Sequence, residues 1–445
     1  LIWEWVSMVD LSGGNVSIGI RCEDKNEFER RTPLVPGDVR RLVERGVKVF
    51  VQPSPRRIFS DEEYTRAGAL VQEDISGAKI VFGVKEMPVS FFQEGGAYTF
   101  FSHTIKGQKH NMPMLCRLVD LGCTLVDYEK VTDDRGRRLI FFGRHAGLAG
   151  MFDTLWAVGM RLKHMGYDTP FYRIRQARFY GSLEEGKREM EKVAREIETR
   201  GLPEEFVPFV VGITGYGNVS RGAQEILDIL PVEEVFPEQL GAIENPSPNK
   251  IYKVVFKEEH MVEPVDPGAV FDLQDYYDHP EKYRGVFERY LEHITVLVNC
   301  IYWDPRYPRL VTREAMRRFF EEGRKFPIVI GDISCDIEGS IEATVKATDP
   351  GNPLFTYDPM TGSVEDGYTG RGVVIMAIDT LPAEIPREAS EHFSRSLFPF
   401  VEKMARADWT VQFEKLDLPA EIKRAVILYH GEFTPPFEYM KDFLE

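Results

Sequence analysis

Residues 210–227 read VVGITGYGNVSRGAQEIL, an apolar β-prone run, then Gly215-x-Gly217, then apolar residues at helical spacing. A buried strand that turns through Gly-x-Gly into a helix lets the backbone approach a pyrophosphate, and the first N–H groups of the helix face its charge. The fingerprint is partial: Ser220 stands at the third glycine position and Gly222 follows two residues later. Gly215, Gly217, Asn218 and Val219 are the candidate cofactor contacts, and a plain strand–turn–helix is the competing reading. In NAD-binding folds an acidic residue about 20 positions past the first glycine accepts the ribose 2′-OH. Here the following strand reads EEVF, with Phe236 near its end and Glu233 and Glu234 earlier. With no carboxylate at that tip, NADP(H) is expected at least as readily as NAD(H), with Arg221 as partner for the extra phosphate.

Outward from this unit, strand and helix patterns alternate along the chain. Strands are expected at 16–20, 47–51, 79–84, 97–102 and 123–127, with helices at 38–44 and 111–121 between them. The nearly uncharged stretch 147–165 predicts a buried helix joining two domains, and 181–200, with opposite charges at i,i+4, a solvent-exposed one. Further strands are expected at 253–256, 295–300, 327–332 and 372–378, and a last long helix within 383–405. Alternation of this kind argues for parallel sheets. The expected fold is α/β: two Rossmann-like domains with parallel sheets flank a cleft, and the dinucleotide-binding domain, 145–380, is inserted into a substrate domain built from 17–144 and the C-terminal helices, 381–445.

Composition narrows the function classes. Among 445 residues, 71 acidic side chains outnumber 55 basic ones, a net charge of −16, which repels a nucleic-acid backbone. No apolar run approaches the ~20 residues that span a bilayer. Five cysteines without a C-x-x-C pair suit a reducing compartment, and the cytoplasm is the expected location. The first fifteen residues, LIWEWVSMVDLSGGN, are expected to be a leader outside the fold, and the closing FEYMKDFLE carries no anchor or address signal. There is no G-x-S-x-G elbow, H-E-x-x-H helix or G-x-x-x-x-G-K-[ST] loop, the histidines are scattered, and no metal site is expected. Lys85 and His103 follow expected strands directly, where α/β proteins place their sites; taken singly, each also reads as an ordinary surface or turn residue.

Nine segments then make a pattern: ERRTPLVP, VKEMP, FFSHTIKGQ, DYEKVTDDRGRR, FGRHAGLAGM, GYGNVSRGAQ, CIYWDPRYPRLVT, GDISCDIEGSIE and DTLPAEIPREAS. In this order they resemble the lysine–ketoglutarate reductase domain of bifunctional aminoadipic semialdehyde synthases, and more distantly the alanine dehydrogenase and transhydrogenase scaffold. The resemblance runs from about Ser17 to the C-terminus and implies reductive condensation of L-lysine with 2-oxoglutarate, using NADPH or NADH, to give saccharopine. It implies proton transfer by Lys85 and His103. An unperturbed lysine, at about 10.4, is too basic for neutral catalysis, so burial and neighbouring cations are expected to lower it.

By the same resemblance Arg31, Arg138 and the Phe142 backbone N–H meet the oxoglutarate carboxylates. Lys106 meets the lysine carboxylate, and Glu129 and Glu29 its ammonium groups. Asp332 approaches the nicotinamide, and Leu381 lies on a cofactor-facing loop. The basic pair Arg144-His145 departs from the family pattern. Two alternatives stay open: another amino-acid dehydrogenase on this scaffold, or a non-catalytic dinucleotide-binding subunit. The expected partners are the small-molecule substrates, with no nucleic acid and no membrane; association with further copies of the chain is left open, and a free-standing reductase is expected.

Overall fold

Six short apolar runs become the parallel strands β1 (Ser17–Ile20), β2 (Lys48–Val51), β3 (Leu70–Val71), β4 (Val81–Phe82), β5 (Ala97–Phe100) and β6 (Thr124–Asp127). The computed structural model describes residues 16–444, so the expected leader lies outside the described residues. The strands stand side by side in the order β3-β2-β1-β4-β5-β6. Val426–Tyr429 adds antiparallel to β6, and Glu432–Phe433 follows it. The chain lays strands to one side of β1 and then returns to lay β4 on the other. Such a reversal between β1 and β4 is where α/β sheets hold ligands, beyond the carboxyl ends of the strands.

The helix Pro386–Arg406 belongs to this sheet's unit because its serines grip the chain after β1. Ser390 Oγ accepts from Thr32 N at 3.0 Å; Ser394 Oγ accepts from Val35 N at 3.1 Å and donates to Asp38 Oδ2 at 2.6 Å. Residues up to Phe141 and from Pro386 onward form one compact unit, and Phe142–Ile385 form the other. Residues 142–144 and 381–385, expected in the substrate domain, therefore fall in the second unit. The former open the helix Gly143–His164, and Leu381 is buried against that helix, in contact range of Gly150.

In the second unit β7 (Phe209–Thr214), β8 (Val232–Glu234), β9 (Ile251–Phe256), Val296–Asn299, Val329–Asp332 and Val373–Met376 run parallel. The sheet is not wholly parallel as expected: Leu354–Tyr357 and Val364–Asp366 extend it antiparallel. A second correction bears on the cofactor. The EEVF strand β8 lies at the edge, and β9 is the strand beside β7. Burial decides this: IYKVVF is apolar enough for the sheet interior, whereas Glu233 and Glu234 are exposed and suit an edge.

The helix Asn218–Leu227, which follows the glycine turn, packs on the long helix Gly143–His164 with backbones almost touching. A Cβ on Gly222 would lie 2.0 Å from the Arg144 carbonyl oxygen, and one on Gly147 1.9 Å from that of Val219. Gly222 thus does the packing work of a third fingerprint glycine, against a helix.

Candidate active site

The carboxyl edge of the first sheet gathers titratable side chains from four neighbouring strands. After β4 come Lys85 and Glu86, and after β5 comes His103, whose Nδ1 lies 2.7 Å from Glu86 Oε1. Lys25 Nζ stands 3.4 Å from the other Glu86 oxygen. Burial opposes ionisation of Glu86, but the hydrogen bond and charge of His103, with Lys85 and Lys25 behind them, hold its carboxyl far below the usual carboxylate range. With Nδ1 engaged by the Glu86 carboxylate, Nε2 is the ring nitrogen that pairing leaves outside it. Its side chain is 34% exposed.

His103 is held in an unusual conformation. Its φ is +48°, in the left-handed region that non-glycine residues seldom adopt. Asp127, fully buried at the end of β6, fixes the residue before it by accepting from Ser102 N at 3.1 Å and from Ser102 Oγ. Asn111 Nδ2 donates to the His103 carbonyl at 3.1 Å. Lys85 is half-buried; its backbone N–H donates to Glu23 Oε2 at 3.0 Å, and that of Val84 to Glu23 Oε1 at 2.7 Å. Burial lifts the Glu23 carboxyl above its ordinary value despite Arg21. Cations were expected around Lys85, yet the charges acting with it include the carboxylates of Glu29 and Glu86.

Arg31 and Glu29, expected to meet different substrate groups, bind each other. Arg31 Nε and Nη2 donate to the two Glu29 oxygens at 2.8 and 2.5 Å, with side chains 2% and 0% exposed. Burial alone would raise Glu29, but Arg31 brings its carboxyl below the ordinary value. The pair is a buried two-bond fork, and the Lys85 charge acts on the same carboxylate. Glu129 and Arg138 come together at 3.8 Å, and Arg138 lies over the Phe101 ring at 5.9 Å. Lys106 is exposed in the turn after His103. Phe142 precedes the long helix in the second unit and accepts from Ala146 N at 3.0 Å.

In the second unit the glycine turn has the build a dinucleotide needs. Gly215 has φ +82°, and a Cβ there would press Ile301 Cγ2 at 3.1 Å. Gly217 is the N-cap of the helix, with Asn218 and Val219 in its first turn. Beside the turn opens a cavity of about 360 Å³, walled by Gly215, Tyr216, Tyr276, Tyr277 and Trp303 with Glu258. Arg221 lies on the exposed side of the helix and is not in this wall, and Phe236, 68% exposed, lies two residues past the edge strand. Both belong to the expected 2′-phosphate reading, which drew on β8 rather than on β9, the strand beside β7. Asp332 is buried and spent on structure: Oδ1 accepts from Asn299 Nδ2 at 2.8 Å and Cys335 N at 3.2 Å, and Oδ2 from Thr344 Oγ1 at 2.6 Å. Burial pushes its carboxyl up to about 6.

Sequence reasoning missed Glu86 as the partner of His103, Asp127 as the anchor of Ser102, and Glu258 in the cavity. Only the carboxylate next to Lys85 gave a local signal, and it read as a surface pair. Among the described residues no group of three or more His, Cys, Asp or Glu could hold a metal ion, and no helix is long and apolar enough to cross a membrane.

Two Rossmann-ordered units, one carrying the Lys85–Glu86–His103 group and the other a glycine-rich turn, define the class of two-unit α/β dinucleotide-binding proteins. Residues 19–149 match the alanine dehydrogenase/PNT N-terminal domain, and 281–436 the corresponding C-terminal domain. The chain belongs to the alanine dehydrogenase/PNT family. It is 40% identical over 96% of its length to an alpha-aminoadipic semialdehyde synthase of Arabidopsis thaliana, and 36% identical over 96% to the mitochondrial one of Bos taurus. It spans 41% and 48% of those proteins. A saccharopine dehydrogenase [NAD(+), L-lysine-forming] of Yarrowia lipolytica is 26% identical, with 89% of this chain and 95% of that protein covered. Among solved structures an L-alanine dehydrogenase superposes with a TM-score of 0.60 at 18% identity, covering 96% of this chain and 100% of that one.

Proposed function

We propose that this chain is an oxidoreductase that condenses L-lysine with 2-oxoglutarate and reduces the product to saccharopine with NAD(P)H. The observation that carries the reading is the contact between Glu86 and His103 beside Lys85, at the carboxyl edge where β1 and β4 diverge. The likeness to aminoadipic semialdehyde synthases over 96% of the chain supports the choice of substrates.

Lys85 takes a proton from the lysine ε-ammonium, which frees the amine to attack the oxoglutarate carbonyl carbon. His103 Nε2 then protonates the carbinolamine oxygen so that it leaves as water and an imine forms. The dinucleotide, when bound at the Gly215–Val219 turn, supplies hydride to the imine carbon. Glu86 keeps the imidazole oriented and stabilises its protonated form. Arg138, with Glu129 at its side, and Lys106 take substrate carboxylates; Glu129 also takes an ammonium group, and the Phe142 N–H serves the oxoglutarate. Arg31 acts by holding Glu29 ionised beside Lys85. Leu381 and Asp332 shape the cofactor side without touching charge. A cytoplasmic location is part of this reading, supported by five cysteines that all stand as free thiols.

The test is NAD(P)H absorbance with purified protein, 2-oxoglutarate and, in turn, lysine, ornithine and ammonia. Lysine-dependent oxidation with saccharopine as product is expected. Oxidation with ammonia alone would instead make the chain an amino-acid dehydrogenase of the alanine type, and binding without turnover a non-catalytic subunit.

A further inference from the structure

After the last strand of the first sheet the chain folds back toward the loops of the candidate site. Thr434 N donates to the Ile427 carbonyl at 3.0 Å and Thr434 Oγ1 to that of Val426 at 2.6 Å, which roots the 3₁₀ turn Pro435–Phe443 on the strand beside β6. A 3₁₀ helix brings residues three apart onto one face. Phe437 and Met440 form that face and are buried, while Tyr439 and Phe443, their rings meeting edge to face at 5.8 Å, stay partly exposed.

These two rings meet the loop that follows His103. Tyr439 O–H donates to the Ile105 carbonyl at 3.0 Å, and a Cβ on Gly107, where φ is +67°, would lie 3.0 Å from Phe443 Cδ1. The same turn reaches the loop after β6. Lys130 Nζ stands 5.9 Å from the Phe437 ring centroid, and burial, with the Glu129 charge added, lifts the Tyr439 phenol above its ordinary value. Asp127 joins the two loops at the strand ends, Oδ2 accepting from Ser102 N at 3.1 Å and Oδ1 from Glu129 N at 2.7 Å. The loops that carry Lys106 and Glu129 are thus tied twice, by Asp127 and by the C-terminal turn.

We propose that Tyr439, braced by Phe443, is a positioning residue for the lysine end of the reaction: it holds the 103–108 loop so that Lys106 and Glu129 keep the spacing one lysine molecule requires. The carbonyl it holds belongs to the residue before Lys106, so loss of that bond loosens the stem of the cation directly. A displacement of about 1 Å in a substrate-holding group is enough to weaken its contact. Tyr439 acts through Ile105 and Glu129. The substrate named here rests on the saccharopine-forming reading; the tether itself does not.

The experiment is amide hydrogen exchange of the full chain read by mass spectrometry, beside steady-state kinetics with lysine, 2-oxoglutarate and NAD(P)H. In Tyr439→Phe, which keeps the ring and its packing, and in Phe443→Ala, the amides of 103–108 should exchange faster while those of 210–227 stay as they are. KM for lysine should rise roughly 2–10-fold in Tyr439→Phe, the worth of one hydrogen bond, with kcat, KM for oxoglutarate and dinucleotide Kd little changed. Glu438→Gln, a change at the neighbouring residue of the same turn, should move neither quantity. Unmoved exchange in Tyr439→Phe, a fall in kcat with lysine KM unchanged, or the same shifts in Glu438→Gln would each overturn the proposal. Faster exchange in Tyr439→Phe without lysine turnover by the unaltered chain would support the tether and refute the saccharopine-forming reading instead.

Discussion

Glu86 and His103 are seventeen residues apart in the chain and 2.7 Å apart in space, carboxylate oxygen to Nδ1. Parallel pairing of β4 with β5 carries both residues past the same sheet edge, so the contact follows from strand register. In the proposed reaction this contact sets which imidazole nitrogen faces the substrate.

Glu86→Gln keeps a polar side chain of the same length but removes the charge that steadies a protonated imidazole. We expect kcat to fall roughly 10–100-fold, the loss typical when a partner that orients a histidine is removed, with dinucleotide Kd unchanged. Lys85→Met and His103→Gln should each cost roughly 10²–10⁴-fold. Steady-state kinetics beside a binding titration separates the two quantities, and an unchanged kcat in Glu86→Gln would remove Glu86 from the mechanism.

The Arg31–Glu29 fork is buried on both sides. Arg31→Ala leaves a carboxylate in the interior without its partner, and the expected loss is about 3–5 kcal/mol of folding stability. Arg31→Lys keeps the charge but cannot make both bonds, so a smaller loss is expected. Chemical denaturation reads this directly; wild-type stability in Arg31→Ala would mean that the pair opens to solvent.

A second buried carboxyl pair predicts how stability varies with pH. Asp153 of the long helix and Glu384 are buried and act on each other's charge. Asp153 Oδ1 also accepts from Ala177 N at 2.8 Å, and Glu384 Oε2 from Arg178 N at 3.2 Å. Burial raises both, Asp153 to about 6, and the Asp153 charge adds to the rise of Glu384. Between the unfolded value near about 4 and the raised folded values, the native state holds more protons than the unfolded one. Stability is therefore fully present below that interval and is lost as pH rises through it. Glu384→Gln should flatten this slope in melting curves taken from pH 4 to 8, and an equal slope in the variant would show that the pair does not share a proton.

Gly222→Ala places a methyl group where the Arg144 carbonyl already stands. The two helices must separate, at an expected cost of about 1–3 kcal/mol, and the glycine turn at the head of the displaced helix should lose dinucleotide affinity with it. Calorimetric melting together with NADH titration tests both effects; no change in either would mean that the helix contact is not needed to hold the turn.

What the sequence determined by itself was whatever depends on neighbours along the chain. Apolar runs between helical patterns set the parallel architecture, Gly215-x-Gly217 marked a turn only glycine makes easily, and VKEMP and FFSHTIKGQ put Lys85 and His103 directly after strands. Tertiary structure decided everything that depends on pairing across the chain. The edge place of β8 is a competition for burial between two strands seventeen or more residues apart, and no local pattern reports its outcome. Arg31 reads as a substrate fork because its type suits carboxylates; that it also forks onto Glu29, buried two residues earlier, is a contact only the folded loop shows. Asp127 and Ser102 meet because β5 and β6 end in register. A side chain's chemistry is written in its own identity, but its partner is chosen by the whole fold.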